Sequence, residues 1–329
     1  MSRGEPLLFA LAGSQTYGNA VAQAMGVPLA ALEERTFEDG EHKTRPLTEV
    51  AGRDVHVIHS LHGDANDSVN DKLVRLLFVL AAVKDAGADR VVAVCPYLAY
   101  ARKDRRTQPL DPVTVRYVAA LFEASGVDCV VTMDVHNQAA FENAFRCRTV
   151  HLEAAPLFVD HYRTLLHSGP VVVVSPDAGG MKRSEAFRLE LQRALGRDVG
   201  AAFAEKYRSG DVVSGEALVG QVRGATAIIV DDLVSAGTTL ARAAAACRRA
   251  GAERVFAAAT HGVLVPDSDA TLAASGIDAI AISDTIPTWR GIDPRLAAQL
   301  TVVPTVGFMA EALTCLNADR PVPREAVPT

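Results

Sequence analysis

The sequence has no apolar run approaching the roughly 18 residues that cross a bilayer; stretches such as Leu7 to Ala12 are far shorter. A membrane partner is not expected. The opening MSRGEPLLFALAG lacks the basic region, long apolar stretch and cleavage site of a secretory signal, so a cytoplasmic location is expected. Cysteine is scarce, at positions 95, 129, 147, 247 and 315, with no CxxC pair. That spacing excludes a zinc finger and fits reduced thiols. Lysine is scarce too: of 33 basic residues only Lys43, Lys72, Lys84, Lys103, Lys182 and Lys206 are lysines. With 39 acids the net charge is −6, which argues against a surface that coats nucleic acid but leaves local basic loops free to grip phosphates. Disorder is excluded for most of the chain, because 49% of residues are hydrophobic and 22% charged.

What is present is an alternation of short β-rich runs with longer helical patterns. Runs at 7–13, 54–60, 90–96 and 128–134 read as buried strands. Helices are expected from about Asn70 to Ala86, with a Leu73, Leu76, Leu77, Leu80, Val83 stripe, and from about Pro112 to Ser125. The rhythm restarts with strands at 170–177, 224–232, 254–261 and 278–284 and helices at 180–195 and 236–250. A length of 329 residues exceeds the usual range of about 100–200 per domain, so two α/β domains are expected. Their boundary is expected near 150, at residues 1–150 and 151–315, with 316–329 a flexible tail containing three prolines. In open α/β sheets chemistry gathers at the carboxyl ends of the strands.

The sharpest segment is IIVDDLVSAGTTL at 228–240, a strand, two acids, a small-residue turn and a helix. Ser235, Ala236, Gly237, Thr238 and Thr239 can aim backbone N–H groups and hydroxyls at one phosphate. Asp231 and Asp232 beside such a nest suit sugar hydroxyls or a bridging magnesium ion. A plain capped helix after a strand has the same composition. Arg102, Lys103, Arg105 and Arg106 put four cations within five residues, which reads as a triphosphate grip or as a solvated charge run. His136 and Asp177 end corresponding strands of the two halves and could share a divalent ion, though a lone strand-end histidine is commonly structural. Phe37, Asp39 and Glu41 in FEDGE read as an adenine site or as an exposed turn. His56, His59 and His62 are read as structural and His261 as a loop residue. Lys206 and Arg208 lie on a polar stretch of the kind that closes over a reaction, or on a merely solvated loop.

The 228–240 loop resembles that of the type I phosphoribosyltransferase superfamily. With FEDGE, CPYLAYARKDRR at 95–106, MDVH at 133–136, VSPDAGG at 174–180 and ATHG at 259–262, the chain resembles the ribose-phosphate pyrophosphokinase family over about residues 7–312. The resemblance implies two tandem phosphoribosyltransferase-like domains, each a mainly parallel sheet flanked by helices. It implies diphosphoryl transfer from ATP to the C1 hydroxyl of ribose 5-phosphate. Phe37, Asp39, Glu41, Arg102, Lys103 and His136 would then bind ATP, with Lys103 standing where the family usually has glutamine. His136 and Asp177 would hold Mg2+, Asp231, Asp232 and residues 235–239 would bind ribose 5-phosphate, and Lys206 and Arg208 would be catalytic. FEDGE would reach a neighbouring subunit, implying a homo-oligomer of dimers assembling into a hexamer. Two other readings stand beside this one. A transferase that consumes phosphoribosyl pyrophosphate shares the loop but needs a single such domain, and a non-catalytic regulatory homologue keeps the fold.

Overall fold

The computed structural model describes residues 4–166, 168–209, 212–287 and 293–326. The chain forms two compact units: one runs to Glu153 and takes back Thr305–Ala326, and the other is Ala154–Pro304. The first contains, in order, β1 (Leu7–Ala10), α1 (Gln15–Met25), β2 (Leu32–Thr36), β3 (His42–Pro46), β4 (Asp54–Ile58), α2 (Val69–Asp85), β5 (Arg90–Cys95), α3 (Thr114–Ala124), β6 (Cys129–Met133), α4 (Gln138–Ala144) and β7 (Arg148–Leu152). Its sheet has the order β1-β4-β5-β6-β7 with every neighbouring pair parallel, while β2 and β3 form a separate antiparallel hairpin. Both faces of this sheet are covered, so β4, β5 and β6 bury every residue, and β5 and β6 read as near-continuous apolar runs instead of alternating ones.

Helix α2 starts where a capping box dictates. The Ser68 hydroxyl accepts the Asp71 N–H, and the Asp71 carboxylate accepts the Ser68 N–H. Its buried Leu73, Leu76, Leu80 and Val83 then pack on the sheet. Helix α3 opens at Thr114, just beyond Pro112 and Val113.

The second unit contains α5 (Ala155–Arg163), β8 (Val171–Ser175), α6 (Met181–Leu195), β9 (Gly200–Ser209), β10 (Val212–Val219), β11 (Thr226–Val234), α7 (Thr238–Arg249), β12 (Arg254–Gly262), α8 (Ser268–Ala273), β13 (Ala279–Ser283), α9 (Pro294–Ala297) and β14 (Leu300–Val303). Its seven strands are ordered β10-β9-β8-β11-β12-β13-β14, and only the β9/β10 pair is antiparallel. The α/β class and the paired parallel sheets agree with the sequence reading.

The C-terminal segment departs from it. Helix α10 (Val306–Asn317), expected partly in the second domain and partly in the tail, belongs to the first unit. Its Phe308, Met309, Leu313 and Leu316 are buried, and it packs on α1. The following residues stay attached: Arg90 pairs with Asp319 at 3.2 Å, the Glu153 N–H donates to the Arg324 carbonyl at 2.7 Å, and Ala326 is buried. Satisfied backbone and ionic partners, not composition, decide whether such a segment is ordered. Residues 327–329 lie outside the described residues. Among the described residues no helix is long and apolar enough to cross a membrane.

Candidate active site

In the second unit, the central strand β11 leads into residues 235–239, the segment expected to meet a phosphate. Gly237 sits at φ 78°, ψ −10° as the residue that opens α7, and a Cβ there would come within 2.8 Å of Leu272. The position therefore excludes side chains, and no side chain caps the helix. The first-turn N–H groups beyond Gly237 lack intrahelical acceptors and carry the positive end of the helix dipole. Ser235 and Thr239 are half-buried beside them, and Ala236 and Thr238 are exposed. The arrangement suits a phosphate dianion.

Asp231 and Asp232 precede the loop, the first half-buried and the second buried. Arg183 from α6, which sequence reading did not single out, brings Nη1 within 3.1 Å of Asp231 Oδ1 and 3.2 Å of Asp232 Oδ1. The Asp232 N–H donates to Asp231 Oδ1 at 2.9 Å. Burial, then the charge of Asp232, hold the Asp231 carboxyl above the ordinary carboxylate range, and Arg183 opposes them. The signal available for Arg183 was a basic pair, Lys182 and Arg183, one turn beyond SPDAGG.

Asp177 follows β8 and is half-buried. Its Oδ1 accepts the N–H groups of Gly179 and Gly180 at 2.8 and 3.0 Å, fixing the carboxylate at the head of α6. Lys206 and Arg208, expected on a loop, lie instead in β9, where their backbones pair with Glu216 and Val213 of β10. That ladder carries a bulge between Val213 and Gly215. The side chains of Lys206 and Arg208 lie outside the described part of the molecule. His261, also expected on a loop, is buried in β12 with Nδ1 2.9 Å from Thr285 Oγ1.

In the first unit, the loop after β5 carries the basic segment. Tyr100 adopts φ 62° and its hydroxyl donates to Asn70 Oδ1. Arg102 and Arg105 are exposed, whereas Lys103 Nζ lies 2.5 Å from Asp111 Oδ2. Asn137, which caps α4, donates from Nδ2 to Asp104 Oδ2 at 2.6 Å and so ties this loop to the end of β6. Asp134 there has φ 37°, on the left-handed side that few non-glycine residues adopt, and His136 two residues on is exposed.

FEDGE forms the turn between β2 and β3. The Phe37 N–H donates to the Glu41 carbonyl at 2.7 Å, and the Glu41 N–H to Asp39 Oδ1 at 3.1 Å. Phe37, Asp39 and Glu41 are all exposed, and the Arg35 guanidinium lies 4.8 Å from the Phe37 ring centroid. An exposed aromatic ring with two exposed carboxylates on a hairpin tip is a surface that can meet a base.

His56, His59 and His62 are interior groups. His56 Nε2 lies 3.1 Å from Asp54, His59 Nδ1 3.1 Å from Ser14 Oγ, and His62 Nε2 3.3 Å from the buried Lys72 Nζ. Among the described residues no three His, Cys, Asp or Glu side chains gather as a metal cage.

Residues 7–126 match the N-terminal domain of ribose phosphate pyrophosphokinase, and residues 213–318 match the phosphoribosyl synthetase-associated domain. Ribose-phosphate pyrophosphokinase 1 of Streptococcus pyogenes is 32% identical over 323 residues, which are 98% of each chain. The protein of the same name in Streptococcus pneumoniae is 31% identical over 98% of this chain and 97% of its own. The crystal structure of phosphoribosylpyrophosphate synthetase from Mycobacterium smegmatis superposes with a TM-score of 0.86 at 30% identity, covering 95% of this chain and 98% of the other. Likeness of that extent spans both units, so the chain belongs to the ribose-phosphate pyrophosphokinase family.

Proposed function

We propose that the chain is a ribose-phosphate diphosphokinase: ATP + D-ribose 5-phosphate → AMP + 5-phospho-α-D-ribose 1-diphosphate. The observation that carries the reading is the β11–α7 junction, where an uncapped helix start at Gly237 follows two acids held by one arginine. It pairs a phosphate site with hydroxyl acceptors, as a sugar phosphate requires. Near-full-length likeness to proteins named ribose-phosphate pyrophosphokinase supports the donor half.

In this reading Ser235, Ala236, Gly237, Thr238 and Thr239 hold the 5-phosphate. Asp231 and Asp232 accept the ribose hydroxyls, which they do best as charged groups. Phe37, Asp39 and Glu41 meet the adenine, His136 serves the nucleotide side, and Arg102 and Lys103 stand on the loop that receives the phosphates. The C1 hydroxyl attacks the β-phosphorus in line. The C1 oxygen bonds to Pβ as the bond from Pβ to the bridging oxygen breaks, the hydroxyl proton passes to solvent water, and AMP departs with the bridging oxygen on its α-phosphate. Such a transfer asks the protein mainly for positioning and charge neutralisation. Lys206 and Arg208 neutralise the charge that grows on the transferred and departing groups.

Magnesium is the metal we assign, with Asp177 and His136 as donors. Asp177 keeps Oδ2 beyond the two N–H bonds made by Oδ1, and a carboxylate with few protein co-ligands suits an ion that retains water and arrives on a nucleotide. When bound, magnesium supplies charge neutralisation to the phosphate oxygens. We also propose a homo-oligomer of dimers assembling into a hexamer, with FEDGE serving a neighbouring subunit, and a cytoplasmic setting in keeping with five free cysteines. The test is a nucleotide assay with purified protein, ATP, magnesium and ribose 5-phosphate. AMP that appears only with ribose 5-phosphate is expected; ADP, or no turnover, would overturn the reading.

A further inference from the structure

The loop after β5 uses its cations unequally. Lys103 Nζ donates to Asp111 Oδ2 at 2.5 Å and to Thr107 Oγ1 at 3.1 Å. The same Asp111 oxygen accepts the N–H groups of Thr107 and Gln108 at 2.9 and 3.0 Å and the Thr107 hydroxyl at 2.7 Å. Four donors thus converge on one carboxylate oxygen, with the lysine bond first among the causes that keep this carboxyl well below the usual range. Both ends of the segment are tied as well. Arg106 Nε donates to the Asp111 carbonyl at 3.2 Å, and the Lys103 carbonyl accepts the Val115 N–H of α3 at 3.4 Å. Arg102 and Arg105, in contrast, face solvent.

We propose that Lys103 and Asp111 form a latch that presets the nucleotide loop, which makes Asp111 a positioning residue and Lys103 a strut instead of a phosphate contact. This rests on reading the loop as the receiver of the ATP phosphates. To reach a phosphate, Lys103 would abandon a carboxylate that also orders Thr107 and Gln108, so the loop would lose its shape as the contact formed. With the lysine held, the exposed arginine forks of Arg102 and Arg105 are left for phosphate oxygens, for which planar guanidinium groups are the better match. A loop ordered before binding loses less conformational freedom when the nucleotide arrives, and the gain appears in affinity.

A double-mutant cycle separates strut from contact. If the latch exists, Asp111→Asn and Lys103→Met each raise the KM for ATP by about tenfold, kcat changes less, and the double variant is no worse than the poorer single one. Lys103→Arg, which can still donate to Asp111, restores most of the loss. If Lys103 instead touches phosphate, Asp111→Asn frees it and leaves KM unchanged or lower, while Lys103→Met alone raises it; that pattern overturns the proposal. Amide hydrogen exchange on the nucleotide-free protein gives a readout independent of turnover. Thr107 and Gln108 should exchange at least severalfold faster in Asp111→Asn at an unchanged melting temperature, and unaltered exchange would equally overturn the latch. Wild-type protein that makes no AMP would defeat the functional reading, while the exchange experiment would still decide the latch.

Discussion

Two carboxylates on consecutive residues at the end of a buried strand repel one another and lose hydration, and both effects favour a proton on Asp231. In the proposed site a charged carboxylate is the stronger acceptor for a sugar hydroxyl, so the raised value of Asp231 weakens binding as the pH falls. Arg183, within 3.1 and 3.2 Å of the two acids, opposes that rise. Arg183→Gln removes the one influence that pulls the carboxyl down by charge, so its already raised pKa rises further. The acid limb of kcat/KM for ribose 5-phosphate should then move to higher pH, with a loss of about tenfold at neutral pH for a shift of about one unit. The same profile measured against ATP should move less. An acid limb that stays where it is in the wild type would remove Arg183 from this role. The acids themselves were legible in the sequence because they are adjacent and sit before a small-residue turn. Arg183 was not, because its partner lies 48 residues away and KRSE has the look of any helix surface.

At the scale of elements, the proposed phosphate loop depends on one backbone conformation. Gly237 must hold φ 78° with Leu272 close on the side where a Cβ would stand. Gly237→Ala therefore meets the left-handed penalty of about 1–2 kcal/mol and a steric overlap besides. Thermal unfolding should occur several degrees lower, and the KM for ribose 5-phosphate should rise with a smaller change in the KM for ATP. Unchanged values for both would mean that the turn is not held in the way described. The elements most legible in the sequence, β5, β8 and β11 among them, are strands with apolar runs that a sheet covered on both faces accommodates. The hairpin of β2 and β3 escaped it for the opposite reason. LEERT and HKTRP are half-exposed, with charges on both faces, and they match a solvated loop as well as a strand. The Lys206 segment likewise matches a solvated loop in sequence, although its backbone is an antiparallel partner of β10.

For the whole molecule, the order of residues misleads about which unit a segment completes. Nothing local in residues 306–317 states which sheet they cover, and proximity in sequence favours the second unit. The structure returns α10 to the first. Arg90 at the start of β5 makes the return specific: its guanidinium donates to the Leu316 carbonyl at 3.0 Å and pairs with Asp319, while Asp54 holds it from the other side at 2.5 and 2.8 Å. His56 and Arg90 keep the Asp54 carboxyl charged far below the usual range, so this tie persists until strong acid protonates it. The apolar contribution is larger. Phe308, Met309, Leu313 and Leu316 are all buried, and at about 1.5–3 kcal/mol for each large side chain they account for roughly 6–12 kcal/mol. A domain's entire net stability is about 5–15 kcal/mol. Ending the chain at Pro304 should therefore unfold the first unit and spare the second. Limited proteolysis of that truncated protein should leave a protected fragment close to Ala154–Pro304 and degrade the rest, and a peptide covering 305–326 supplied separately should restore protection to the first unit. Protection of residues 4–153 in the truncated chain without the peptide would show that α10 merely lies against a unit already stable without it.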